Sequence, residues 1–328
     1  MFKSNRVRFI VSLALVLVFL CGGALAETVR VAVVQPLTHT SLNQIRDTIV
    51  AGLEASGIDF EIVTKNAEGD SSALSTILEN VKNDGVDILV PIATNTAQSS
   101  KMVFEDSGVP VVFAAVSDPV AAGLTGDDCG FITGVSNNIP AAEIVNLISD
   151  FQPDYKLIGF LYTSSETNSV STINAAKAYC DQNAIAYEEV SIANLSELQT
   201  AVETLISKGV DALYTGNDNS IASAMSTYID VAYEYGIPVY CGADSMVADG
   251  GFATIGVDYV QLGGQVADIV VRIANGEQPE DIPYETLADY ARFVNLQAAD
   301  RIGMEISDDI QASYNVLVEA DGTSHFGE

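Results

Sequence analysis

Apolar and polar positions along this 328-residue chain alternate in two rhythms. Short apolar runs at 29–34, 60–63, 88–92 and 109–116 predict β-strands. The segments between them repeat apolar residues at helical spacing, as Ile45, Ile49 and Leu53 do. Continuous apolar strands separated by amphipathic helices predict a parallel sheet covered on both faces. A second set of strands follows at 157–162, 187–192, 211–214 and 237–240, in the same order. The correspondence reaches residue types: Gly85-Val86-Asp87-Ile88-Leu89 matches Gly209-Val210-Asp211-Ala212-Leu213, and Gly108-Val109-Pro110-Val111 matches Gly236-Ile237-Pro238-Val239. The offsets, 124 and 128 residues, far exceed the roughly 20 to 50 of solenoid repeats and mark one duplicated lobe.

The expected fold class is therefore α/β, with two doubly wound parallel-sheet lobes related by internal duplication. Such sheets bind ligands at the carboxyl ends of their strands, so the ligand cleft is expected between the lobes. Stretches at 131–140, 255–259 and 279–284 are suited to carry the chain across. They divide it into lobe one, 27–137 plus 258–282, and lobe two, 138–257 plus 283–328.

The first 26 residues read differently. Lys3, Arg6 and Arg8 precede an apolar run at 9–20, and Ala24-Leu25-Ala26 closes the segment ahead of Glu27. Basic, apolar, then small-x-small is the order of a secretory signal cleaved after Ala26. The run is short for a membrane-spanning helix of about 20 residues. A lipid anchor at Cys21 is the alternative, although Leu20 is bulky where a lipoprotein signal carries a small residue. The protein is thus expected to be exported, to a periplasm or the cell surface.

Composition narrows the partners. Lys and Arg number 14 against 44 Asp and Glu, a formal charge of −30. Loss of the leader would make the chain three charges more negative. Phosphate-rich partners need clustered cations, so nucleic acid and anionic membrane surfaces are not expected. Cys129, Cys180 and Cys241 are an odd set without a CxxC and read as small buried apolar residues; no metal or cofactor is expected. Two histidines and no HExxH, P-loop or GxGxxG leave no catalytic arrangement beyond the acidic pair Glu166 and Asp218, so the chain is not expected to be an enzyme.

The strand ends carry the candidate chemistry. Thr94-Asn95-Thr96-Ala97-Gln98 in lobe one and Asn217-Asp218-Asn219-Ser220 in lobe two each precede a helix. A helix N-terminus offers free N–H groups that hold a carboxylate without any basic side chain. Lobe one presents neutral Thr94, Asn95, Thr96 and Ser117, whereas lobe two presents Glu166, Asp218 and Asp244. One lobe would take a carboxylate and the other an ammonium, although Asp118 and Asp258 blur the division. Gln35 and His39, after the first strand, and Ser136 and Asn219 complete the candidates from position alone.

Five segments in order carry a resemblance: Pro91-Ile92-Ala93-Thr94-Asn95-Thr96-Ala97-Gln98, Val116-Ser117-Asp118-Pro119-Val120, Thr133-Gly134-Val135-Ser136, Glu166-Thr167-Asn168-Ser169 and Asp218-Asn219. Over 29–303 the chain resembles ABC-transporter substrate-binding proteins of the tryptophan/tyrosine-binding type. The resemblance implies a bilobal periplasmic-binding-protein fold with three interlobe crossings. It also implies delivery of a small ligand, an aromatic amino acid foremost, to a membrane permease with a cytoplasmic ATPase, by a chain expected to be monomeric. Its best contacts are Thr94, Thr96, Gln98, Ser117, Glu166, Asn168, Ser169 and Asp218. Cys241-Gly242-Ala243-Asp244-Ser245-Met246 and Asn95 depart from the family pattern, which leaves a nucleoside, sugar or branched-chain amino acid as alternative ligands and a receptor-coupled sensor as an alternative role.

Overall fold

The computed structural model describes residues 28–287 and 290–326; the expected signal segment and Cys21 lie outside the described residues. In chain order the first lobe is built from β1 (Val29–Gln35), α1 (Thr40–Ala55), β2 (Phe60–Asn66), α2 (Ser71–Asn83), β3 (Ile88–Pro91), α3 (Thr94–Phe104), β4 (Val111–Ala114) and β5 (Ile132–Ser136). The second contains α4 (Ala141–Phe151), β6 (Ile158–Thr163), α5 (Thr167–Asn183), β7 (Tyr187–Ile192), α6 (Leu198–Ser207), β8 (Ala212–Thr215), α7 (Asn219–Ala222) and α8 (Met225–Glu234). It continues through β9 (Val239–Cys241), α9 (Asp244–Ala248) and β10 (Ala253–Val257). Then α10 (Tyr259–Ala274) and β11 (Glu285–Thr286) return to the first lobe, and β12 (Tyr290–Asn295), α11 (Leu296–Ile302), α12 (Asp308–Gln311) and β13 (Asn315–Val318) end in the second.

Both sheets wind in the same way. The first runs β11-β5-β4-β3-β1-β2 and the second β13-β12-β10-β9-β8-β6-β7. The order 2-1-3-4-5 in one is thus repeated by β7-β6-β8-β9-β10 in the other, as duplication requires. All pairs are parallel except β10 with β12, which is antiparallel. In β1, Val31 and Val33 join one apolar cluster while Ala32 and Val34 join the other. Successive side chains on a strand point to opposite faces, so a run without polar interruption is what a sheet covered on both faces demands.

Cys129, Cys180 and Cys241 are unpaired and buried. Burial, with a smaller push from Asp181, raises the Cys180 thiol to about 11.

One boundary needs correction. The stretch 279–284 was expected to cross between lobes, with lobe two resuming at 283. Instead β11 pairs with β5 through Glu285 opposite Val135 and Thr286 opposite Ser136, so the first sheet reaches Thr286. Buried Pro279 begins a short 3-10 turn, and the Thr133 hydroxyl donates to the Ile282 carbonyl at 2.7 Å, which ties this segment down before the chain leaves. A two-residue edge strand is too short to leave a period in the sequence.

Candidate functional site

The carboxyl ends of β1, β3 and β4 face those of β6, β8 and β9 across a narrow cavity of about 30 Å³, lined from both lobes. Its apolar wall includes Leu42, Ile45, Ala93, Ala115, Ala222, Ala243 and Met246, and its polar wall includes Ser41, Thr94, Ser117, Asn137, Asn168 and Asn217. Asp218, Asn219, Ser245, His39 and Tyr259 complete it. Among the described residues no Lys or Arg lines it. Tyr259 is fully buried, and its hydroxyl lies 3.4 Å from Asn137 Nδ2 and 3.3 Å from Asn217 Oδ1.

The two lobes present their helix ends differently. In lobe one, α3 begins after Ala93, which has φ 71° and ψ 157° and whose side chain caps nothing. A non-glycine residue rarely adopts such a backbone, at a cost of about 1–3 kcal/mol, and here it leads into an eleven-residue helix whose start, Ala93 and Thr94, lines the cavity with no side-chain cap. Ala115, at the end of β4 and also on the wall, has φ 58°. In lobe two, α7 is capped from within the protein. Asp218 accepts from the Ile221 N–H at 2.9 Å, and Glu166 accepts from the N–H groups of Asn219 and Ser220 at 2.9 and 2.8 Å.

Six of the sixteen expected contacts line this cavity: His39, Thr94, Ser117, Asn168, Asp218 and Asn219. Three of these six, Thr94 Oγ1, Asn168 Oδ1 and His39 Nδ1, carry buried polar atoms without a hydrogen-bond partner among the described residues. Buried polar groups are nearly always paired, so three orphans around one cavity, two from lobe one and one from lobe two, mark where a ligand's polar groups belong. Burial lowers the His39 pKa from its ordinary value, opposed by its bond to Asn219 and by the nearby Glu166. Burial first, and Glu166 second, raise Asp218 to about 7.

The other ten expected contacts stand elsewhere. Asn95, Gln98 and Glu166 border a wider opening at the cleft mouth. Glu166 was expected to meet an ammonium directly, but five donors already surround its carboxylate. The remaining seven do not line this cavity, and each is engaged or stands off its wall. Gln35 bonds Leu37, Asn43 and Arg46, and Ser136 bonds the Ser117 carbonyl. Ser169 donates to Asp218 at 2.7 Å, and Asp118 accepts from Ser171 at 2.6 Å across the lobes. Asp244 bonds its neighbour's N–H, with burial raising its pKa to about 6, and Asp258 caps α10. Thr96 is fully buried one turn into α3, its hydroxyl unpaired but off the cavity wall.

Ser41, Asn137, Asn217, Ser245 and Tyr259 were not among the expected contacts. The signal for Asn217 was present, since it directly precedes Asp218 at the end of β8. Ser41 and Ser245 have no such mark: their hydroxyls meet each other from opposite lobes, a pairing that only the folded arrangement creates.

A family model described as ABC transporter substrate binding protein matches residues 30–320. A tyrosine-binding protein of Clostridioides difficile is 28% identical over 283 residues, 84% of this chain and 81% of that protein. Among solved structures, an ABC domain from Streptococcus pneumonia in complex with L-Trp has TM-score 0.83 at 31% identity, covering 88% of this chain and 99% of that one. A ligand-free, open substrate-binding protein from Clostridium difficile has 30% identity and the same coverage but TM-score 0.67. At nearly the same identity, the chain as a whole superposes more closely on the L-Trp complex than on the open form.

Proposed function

We propose, from the premise that this chain belongs to the ABC transporter substrate-binding proteins, that it is the exported, non-catalytic, monomeric solute-binding component of an importer and that its cargo is an aromatic amino acid. The carrying observation is the unequal capping of the two helix ends at the cavity. The uncapped start of α3, with Thr94 and Ser117, suits the carboxylate. On the opposite side, the field of Asp218 and Glu166 and the free oxygen of Asn168 suit the ammonium. Leu42, Ile45, Ala222 and Met246 receive the side chain. The L-Trp-bound neighbour and the tyrosine-binding relative support the same cargo.

Thermal unfolding of the chain from residue 27 onward, with L-Trp, L-Tyr, tryptophan amide, indole-3-propionate or a sugar panel, tests this. A ligand at 100 times its Kd stabilises by about 2.7 kcal/mol. The free amino acids should stabilise, and both the amide and the deaminated acid should bind at least tenfold more weakly. Stabilisation by sugars alone, or indifference to loss of either charged group, would overturn it.

A further inference from the structure

We propose that Glu166 is a positioning residue that never meets the ligand's charge directly: it fixes the hydrogen-bond polarity of the cavity, so that Asn168 and His39 both present bare acceptors which the ligand fills with donor hydrogens. The ligand half of this rests on the reading of the cleft given above; the Glu166 half stands on the geometry alone.

The chain of constraint starts at the backbone. Glu166 Oε2 accepts from the Asn219 N–H at 2.9 Å and Oε1 accepts from the Ser220 N–H at 2.8 Å. A backbone N–H can only donate, so both carboxylate oxygens are committed as acceptors. Two side-chain amides then have one orientation each. Asn168 turns its Nδ2 to Glu166 Oε2 at 3.2 Å and to the Asn217 carbonyl, which can likewise only accept. Its Oδ1 is left buried and unpartnered on the cavity wall. Asn219 turns its Nδ2 to the same Oε2 at 2.9 Å, so its Oδ1 is the atom that meets His39 Nε2 at 3.1 Å.

That contact settles the imidazole. An amide oxygen accepts, so Nε2 carries the hydrogen. A neutral imidazole has one N–H, so Nδ1 is a lone pair. It is buried and has no partner among the described residues, and burial favours the neutral ring. One carboxylate therefore dictates two amide orientations and, through one of them, a tautomer. His39 precedes α1 in lobe one and Asn168 lies in α5 of lobe two, so a ligand that donates to both also joins the lobes. A protonated amine brings three donors, whereas a molecule offering only carboxylate or carbonyl oxygens leaves both acceptors empty.

The ring nitrogens of His39 can be read by ¹⁵N NMR at neutral pH, since the chain has two histidines and His325→Gln removes the other from the spectrum. The free protein should show the Nε2–H tautomer with an unprotonated Nδ1, and saturating L-Trp or L-Tyr should move the Nδ1 resonance in the direction of an accepted hydrogen bond. Glu166→Gln introduces an N–H₂ among donors and should mix the tautomers and weaken binding at least tenfold. An Nδ1–H tautomer in the unaltered protein would overturn the proposal. So would a pure Nε2–H tautomer with unchanged affinity in a folded Glu166→Gln protein. If that variant does not fold, the unaltered protein's tautomer and its ligand response still decide. Binding without movement of Nδ1 would sink the ligand half while leaving the amino-acid cargo intact. A correct tautomer in a protein that binds neither amino acid would sink the cargo and leave the role of Glu166 standing.

Discussion

Thr94 has a hydroxyl that is buried and unpaired on the cavity wall. An unsatisfied buried polar group costs about 1–3 kcal/mol, which the free protein bears until a ligand arrives. Thr94→Val keeps the shape and removes the hydroxyl. It should leave the unliganded protein as stable or slightly more so, while ligand affinity falls about tenfold, the loss of one hydrogen bond of about 1.4 kcal/mol; calorimetric titration beside thermal unfolding checks both halves. Asp218 gives a pH signature. Its carboxyl is raised to about 7 by burial and then by Glu166, from an ordinary value near 3.8. The folded state therefore holds this proton more tightly than the unfolded chain, so the stability it confers is complete below about pH 4 and is lost as pH rises through about 7. Asp218→Asn should flatten the decline in stability between pH 4 and pH 7, read by urea unfolding at several pH values, and an identical slope in both proteins would reject the assignment. The acidity of this stretch was legible in the sequence, but its use was not. Side chains that cap a helix and side chains that greet a ligand are of the same types, and only the count of donors around Glu166 and Asp218 tells them apart.

Two long helices position much of the cavity. His39, Ser41, Leu42 and Ile45 belong to the start of α1 and Tyr259 to the start of α10. These helices pack closely because glycines face the contact: a Cβ on Gly263 would lie 2.8 Å from Thr48 Cβ, and one on Gly52 2.7 Å from Ala267 Cβ. Gly263→Val should destabilise the protein by about 1–3 kcal/mol through overpacking and weaken ligand binding by separating the two helix starts. Gly264 meets nothing within 4 Å, so Gly264→Ala should stabilise by up to about 1 kcal/mol through helix propensity. Equal effects at the two sites in denaturant melts would refute the packing account. The major strands and both copies of their order were readable because strands covered on both faces are unbroken apolar runs. The edge strand β11 and the antiparallel partner β12 were not. Glu285–Thr286 has two residues, and Tyr290–Asn295 is mostly half-buried with Arg292 inside it, held by Asp150 at 2.8 Å and Glu143 at 3.3 Å. Pairing of that kind comes from tertiary contact and leaves no apolar period.

Across the whole molecule the lobes meet through polar pairs, His39 with Asn219, Ser41 with Ser245, Gln98 with Thr167, Asp118 with Ser171 and Tyr259 with Asn217, and through an apolar cluster with members from both lobes. The polar pairs exchange readily for water, and a ligand touching both walls can set the balance between open and closed forms. Among these pairs, Ser171 donating to the Asp118 carboxylate at 2.6 Å is charge-assisted, outside the cavity, and present only when the lobes are together. Ser171→Ala removes it without altering any cavity wall. A hydrogen bond of this class contributes about 1.5–3 kcal/mol at most, less where water reaches it. Because apparent affinity scales with the fraction of protein in the competent form, the variant should bind the same ligands in the same rank order but about tenfold more weakly. Small-angle scattering should then give a larger radius of gyration for the free variant than for the free parent, and equal radii once both are saturated. Unchanged affinity with unchanged scattering would show that closure draws nothing from this contact. A loss of affinity confined to one ligand would instead place Ser171 within reach of the cargo.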